Sequence, residues 1–274
     1  MVFKEDGYAL FLVLVILTIF ALLFPAVLRL TITEFMIAKN YQDSIRDYYL
    51  IDGITNLEVS KACDSLGKLL VDKGYISKSN LRSLYNKNNG SLEVIDSDNH
   101  KLKIKYNMLK IVDESSKVNI NKASKEMLAS LEGVGDIIAE NIITKREFSA
   151  IEELSQVNRI GDIDNEDNYE SKTYQAIKND ITVKSDGRIN INTASSSVLK
   201  SLSGIGDILA TNIKARRPFA NKDEIKGVDG IGDAIYSRLK DKIKVTSHNF
   251  KVILEVSIKD KNIKRRVIRF IKVQ

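Results

Sequence analysis

The chain has 274 residues and a formal net charge of +6, from 42 lysines and arginines against 36 aspartates and glutamates. A hydrophobic content of 43% and a charged content of 28% fit a folded protein, with room for one membrane segment and two or three small domains. Cys63 is the single cysteine, which excludes an intrachain disulfide, and the two histidines leave little for a zinc site or a Cys/His nucleophile pair.

Met1–Gly7 is short and polar. Tyr8–Leu28 follows as 21 residues without a charge, ended by Arg29, a length that spans a bilayer as a helix. Pro25 near its end predicts at most a mild kink. A cleaved secretory signal and a plain anchor both fit such a run. Against the signal stand its length, an n-region that is not clearly basic and the lack of an A-x-A site. Apolar residues recur at helical spacing beyond the membrane, from Phe35 through Tyr41, Ile45 and Ile54 to Ala62, which fits either one long helix, weakened at Gly53, or an ordinary anchor followed by a separate helix. Leu66–Leu70 and Ser79–Tyr85 read as further helical pieces. Ser91–Ile95 and Lys101–Ile111 read as strands around a turn at Asp96–His100, with clear alternation at Leu102, Ile104 and Tyr106.

A repeat follows. Val118–Asn121 (VNIN) and Leu131–Gly135 (LEGVG) recur as Ile189–Asn192 (ININ) and Leu202–Gly206 (LSGIG), 71 residues on. The offset also maps Arg146 to Arg217, Phe148 to Phe219, Glu153 to Glu224 and Gly161 to Gly232. In each copy Asn-x-Ala-Ser (Asn121–Ser124, Asn192–Ser195) supplies an N-cap to a first helix. A Gly-apolar-Gly turn leads to a second helix, whose expected buried face is Ile137, Ile138 and Ile142, or Ile208, Leu209 and Ile213. A basic pair, a phenylalanine and two more short helices around a second turn complete the unit, a helix-hairpin-helix pattern. The turn glycines are Gly133, Gly135 and Gly161, then Gly204, Gly206, Gly230 and Gly232, with Arg159 standing where the first glycine of one turn belongs.

Free N–H groups at such turns can hold a phosphate. Here an acid follows each turn (Asp136, Asp162, Asp207, Asp233), and a carboxylate there is expected to cap those N–H groups and oppose the phosphate. The turns therefore read as packing scaffold first, and DNA is not the expected partner. Asn119, Asn121, Asn190 and Asn192 read as caps and turn formers. Aligning Tyr174–Val183 with Tyr236–Val245 changes the offset to 62, so the first copy carries nine extra residues within Asp162–Glu170. Asp162, Asp164, Glu166 and Asp167 could offer oxygen ligands to calcium, but the run lacks the Gly and final Glu of an EF-hand loop, and a solvated acidic loop is the favoured account. No other metal or cofactor is expected.

Val252, Leu254, Val256 and Ile258 alternate, Asp260–Asn262 gives a turn and Val267–Ile271 returns, a closing hairpin. Lys251–Gln274 holds eight bases against two acids, which equals the whole excess of +6, so residues 1–250 balance to zero. A DNA receptor would place that excess on the repeats. On a terminal hairpin it suits an acidic partner, lipid headgroups or a guarded edge strand. No catalytic constellation emerges, and no enzyme activity is expected.

Three resemblances join these parts. A polar leader ending in Gly7, followed by Tyr8 and an unbroken apolar helix, resembles a type IV prepilin leader, which implies prepilin peptidase cleavage between Gly7 and Tyr8. Leu12 stands where most pilins carry Glu, a departure characteristic of the K-type tip pseudopilin of type II secretion. The D-E-x-x-K-V-N run at Asp113–Asn119 and the strand, helical insertion, strand order are similar to the same K-type (GspK-like) minor pseudopilins, some of which bind calcium. The repeats resemble those of the ComEA family of DNA receptors. The resemblance implies an α+β fold: a long N-terminal transmembrane pilin helix, a small antiparallel sheet and an inserted all-α tandem helix-hairpin-helix domain. The expected parts are a leader (1–7), a membrane segment (8–28), pilin helix and first strands (29–112), repeats at 113–183 and 184–246, and the basic hairpin (247–274). Expected partners are I- and J-type minor pseudopilins, the filament, prepilin peptidase and the cytoplasmic membrane, crossed once with the bulk extracytoplasmic. The alternative is a membrane-anchored receptor for DNA uptake.

Overall fold

A computed structural model describes residues 3–87, 89–95, 101–157, 160 and 172–273. The expected turn at Asp96–His100 lies outside them, as do Arg159, Gly161 and the calcium candidates Asp162, Asp164, Glu166 and Asp167. The chain forms two compact units, 1–53 and 54–274.

Helix α1 (Phe3–Lys73) runs without a break through Pro25 and through Gly53, so the two residues expected to weaken it do not end it. It is long and apolar enough to cross a membrane, and Gly7 and Tyr8 lie inside it. In the first unit its apolar side chains from Tyr8 to Ile37 are exposed all round, the pattern of a helix whose solvent is apolar.

The second unit holds a four-stranded antiparallel sheet: β1 (Asn89–Ile95), β2 (Lys101–Asp113), β7 (Asn249–Ile258) and β8 (Ile263–Lys272), in the order β1-β2-β7-β8. The period-two side chains fix its buried face. Met108 and Ile111 of β2 and Phe250, Val252 and Leu254 of β7 pack with Ala62 and Leu66 of α1, with Ile76, and with Leu81 of α2 (Lys78–Lys87). Strands β2 and β7 pair from Ile104↔Ile258 to Asp113↔Phe250, with a bulge between Met108 and Lys110. All the helical repeats therefore lie between two adjacent strands of one sheet.

Each repeat is an α-helical ring closed by a short parallel bridge that the periodicity did not reveal. In the first, β3 (Val118–Asn119) pairs β4 (Ile181–Thr182) around α3 (Lys125–Ala129), α4 (Gly135–Thr144) and α5 (Lys172–Ile177). In the second, β5 (Ile189–Asn190) pairs β6 (Ile243–Lys244) around α6 (Ser196–Lys200), α7 (Asp207–Arg216) and α8 (Asp233–Leu239). The third short helix of each copy is a 3-10 turn, Ile151–Gln156 and Lys222–Gly227. The two rings share one core, including Leu128, Ile142, Leu154, Leu199, Ile213 and Phe219.

Candidate functional site: the hairpin turns and the buried junction

The asparagines of the two opening motifs divide their work. Asn119 and Asn190 form turns, their Oδ1 atoms accepting from the N–H two residues on at 2.9 and 3.0 Å. Asn121 and Asn192, expected as caps, instead clamp a distant chain segment. Asn192 Nδ2 donates to the Phe219 carbonyl and Oδ1 accepts from the Phe219 N–H, both at 2.8 Å. Asn121 does the same with Phe148, at 2.8 and 3.0 Å. The caps are serines: Ser124 accepts from Met127 N–H at 3.3 Å and Ser195 from Val198 N–H at 3.1 Å. One residue of each basic pair is also internal. Arg146 donates to the carbonyls of Ile120 and Ala123, and Arg217 to that of Ala194 at 2.9 Å. Burial pushes the Arg217 guanidinium down to about 10. These arginines brace the ring and are not free for a ligand.

The hairpin glycines also divide. Gly133, Gly204 and Gly230 have φ of +73°, +86° and +91°, a region that side chains disfavour, and Gly135 has +59°. Gly206 and Gly232, expected to need the same freedom, have φ of −95° and −85° and nothing within 4 Å of where a Cβ would stand. Each is the uncapped N-terminal residue of its helix. Gly204→Ala should therefore lose about 1–2 kcal/mol, the left-handed penalty for an L-residue. Gly206→Ala should stay within about 0.5 kcal/mol of the wild type, a slightly poorer cap offset by a stiffer unfolded chain. Thermal unfolding followed by circular dichroism checks the pair.

The acids after the turns do not cap them as expected. The side chains of Asp207 and Asp233 are 87% and 93% exposed and reach outward, to Lys200 Nζ at 2.8 Å and Lys226 Nζ at 3.3 Å. Asp136 sits in the first turn of α4, whose N-cap residue also makes no side-chain cap. Ile137 and Ile208, expected on the buried face, are 57% and 77% exposed, while Ile138, Ile142 and Ile213 are buried. The helical wheel is rotated by one position, so each first turn presents an acid and an apolar side chain together.

Between the sheet and the repeats lies a buried polar junction, the D-E-x-x-K run. Asp113, at the end of β2, is fully enclosed. Its Oδ1 accepts from Ser115 N–H at 2.7 Å, and its Oδ2 from Thr193 Oγ1 (2.5 Å), Ser247 Oγ (2.8 Å) and Asn190 Nδ2 (2.9 Å). It thus ties the sheet to the second repeat. Glu114 ties it to the first, accepting from Thr182 Oγ1 at 2.5 Å and pairing with buried Lys117 at 3.0 Å. The repeats tie to each other through Asn119 Nδ2, which donates to the Ser185 carbonyl at 2.7 Å.

Strand β8 is a sheet edge, and its outward residues Lys264, Arg266 and Lys272 are exposed beside Ile268 and Phe270. The outward lysines of β2 (Lys101, Lys103, Lys105) extend this basic face. The charge surplus thus lies on the sheet and not on the helical rings. Among the described residues no group of three or more His, Cys, Asp or Glu side chains could hold a metal.

This is an α+β protein with a long apolar N-terminal helix, a small antiparallel sheet and two helix-hairpin-helix rings set between adjacent strands. The helix-hairpin-helix motif family matches residues 113–168 and 184–244. The endonuclease/exonuclease/phosphatase family domain-containing protein 1 of Mus musculus is 26% identical over 177 residues, covering 54% of this chain and 31% of its own. The Homo sapiens protein of that name is 24% identical over 186 residues, with the same coverage. The chain thus spans about a third of these curated relatives. In structure it is similar to a chain of the GspK-GspI-GspJ complex from the enterotoxigenic Escherichia coli Type 2 Secretion System. The TM-score is 0.60 at 13% identity, over 85% of this chain and 94% of the other, which establishes a shared fold.

Proposed function

We propose that this chain is a K-type minor pseudopilin, a non-enzymatic tip subunit of a type II secretion or related type IV filament system. One observation carries the reading: the helical rings are inserted between β2 and β7, neighbours in a sheet that packs on the far part of a helix long and apolar enough to cross a membrane. A tethered binding module has no need of a sheet that closes after its rings. The fold likeness, which covers 94% of the neighbouring chain, supports the same reading. On this reading the chain is cut after Gly7, anchored once in the cytoplasmic membrane with its bulk outside, and assembled with I- and J-type minor pseudopilins. The inserted rings are bulky, which suits a subunit with no neighbour stacked above it.

Intact mass and N-terminal sequencing of the protein recovered from its native membrane test this. The expected result is a chain beginning at Tyr8, with a methylated amine. A mature chain that retains Met1–Gly7 removes the reading.

A second reading, capture of DNA, has one specific observation in its favour. Gly206 and Gly232 need glycine for neither backbone angle nor space, yet stand at uncapped helix N-termini where a phosphate could approach. The outward acids Asp207 and Asp233 weigh against it. Gly206→Ala is the clean probe, because it is expected to leave the fold intact. A salt-sensitive gel shift that this variant abolishes would support DNA capture, and no shift at micromolar protein would remove it.

A further inference from the structure

One cleft in the second unit is absorbed by neither the pseudopilin reading nor the hairpin turns. Its volume is about 510 Å³, within the range of small-ligand sites. Four separate stretches of chain meet there: α2, the end of β2 with Lys117, the Asn179–Asp180 corner that closes the first repeat, and Thr193–Ser195 of the second. Four cations line it, Lys78, Arg82, Lys110 and Lys117.

The acids nearby offset these charges only in part. Asp113 already accepts from Ser115, Thr193, Ser247 and Asn190, and burial pushes its carboxyl up toward the neutral form. Asp180 accepts from the hydroxyls of Ser195 and Ser197. Glu114 is held by Lys117 and Thr182. Lys78, Arg82 and Lys110, all solvent-exposed at the cleft's mouth, thus line it with no ion pair of their own among the described residues. Burial first, then the charges of Arg217, Lys214 and Lys110, hold the Lys78 ammonium below the ordinary lysine range, and Asp180 offsets part of this. Lys251, beside Lys117, is held down in the same way.

Like charges gathered in a half-enclosed space cost free energy that a multivalent anion recovers on binding. Lys78 on α2 and Lys110 on β2 line the cleft from different elements, and lysine ammoniums are point donors, which suits a tetrahedral oxyanion better than a planar carboxylate. We infer that this cleft is a phosphate-binding site, built where the sheet, α2 and both repeats meet. The inference holds whether or not the chain is a pseudopilin.

The test is isothermal titration of the full chain in neutral detergent with inorganic pyrophosphate, glycerol 3-phosphate and citrate. Pyrophosphate should bind saturably and more weakly as chloride rises. Lys78→Gln and Lys110→Gln should each weaken it about tenfold, the loss of one charge-assisted contact. Lys78→Arg, which keeps the charge, should bind within about threefold, and Arg266→Gln, on the outer sheet face, within about twofold. Glycerol 3-phosphate binding with the same variant pattern points to a phosphate carried on a larger molecule, such as a lipid headgroup; pyrophosphate binding alone points to a free polyphosphate. No saturable binding, unchanged affinity in Lys78→Gln and Lys110→Gln, or equal affinity for citrate would overturn the assignment.

Discussion

Replacing Asp113 with alanine is expected to destabilise the second unit by about 3 kcal/mol, among the largest effects of any single polar substitution in this chain. The carboxyl is wholly buried and gathers four donors from three parts of the sequence: the turn after β2, the second repeat and the segment leading to β7. Thr193 can turn its hydroxyl toward the Asn190 carbonyl, 3.4 Å away, but the Ser115 N–H has no such freedom. Its lost partner, with the cavity left behind, dominates the cost. Asp113→Asn should lose less, because one oxygen still accepts and both hydroxyls can reverse to accept from the new amide. The pair also gives a pH signature. Burial raises the folded-state carboxyl above its unfolded value, so its contribution is fully present below the unfolded value and is lost as pH rises through the folded one. Relative to Asp113→Asn, the wild type should lose stability as pH climbs from about 4 toward neutrality. Chemical unfolding of both proteins across that range, followed by circular dichroism, is the measurement.

Asn192→Ala is expected to cost about 3 kcal/mol, because it strands both the N–H and the carbonyl of buried Phe219. Asn121→Ala removes the equivalent clamp on Phe148 and should cost roughly half as much, since Asn121 is only half-buried and water can replace it. Asn192→Asp is informative beside them. It keeps the acceptor for the Phe219 N–H but sets a carboxylate oxygen against the Phe219 carbonyl, so it should resemble the alanine variant and not the wild type. The same unfolding measurement ranks the three proteins. If Asn192 were a helix cap, Asn192→Asp would be nearly neutral.

Much of the architecture was legible because the signals were periodic or repeated. The apolar run from Tyr8 to Leu28 and the helical spacing beyond it foretold helix throughout, and the resemblance to a pilin spine foretold that it is one helix. Alternation at Leu102, Ile104 and Tyr106 and at Val252 to Ile258 foretold the strands. The 71-residue offset foretold two helix-hairpin-helix repeats, though not the bridges that close them. Glycine gave half an answer: the spacing marked the turns, but not which glycine in each needs a left-handed backbone. Helical periodicity misplaced Ile137 and Ile208 by one position, because a helix that begins at a turn can be rotated without changing its spacing.

The roles of single polar residues lay beyond the sequence. Two-residue bridges such as Val118–Asn119 with Ile181–Thr182 are too short to show a period. A cap and a clamp use the same residue type, so Asn192 could be told apart only by what lies opposite, 27 residues away. Asp113 and Glu114 stood out as part of a recognisable run, but their long-range partners, from Thr182 to Ser247, are 68 to 134 residues distant. The cleft cations likewise come from α2, β2 and the junction, and read as ordinary surface charge until the chain folds. By itself the sequence determined the helix, the strands, the rings and their order, because each is written in local spacing of apolar side chains and glycines. Only the tertiary structure decided which polar groups are buried together and which charges converge unpaired, because those depend on desolvation and on distances between residues that the sequence keeps far apart.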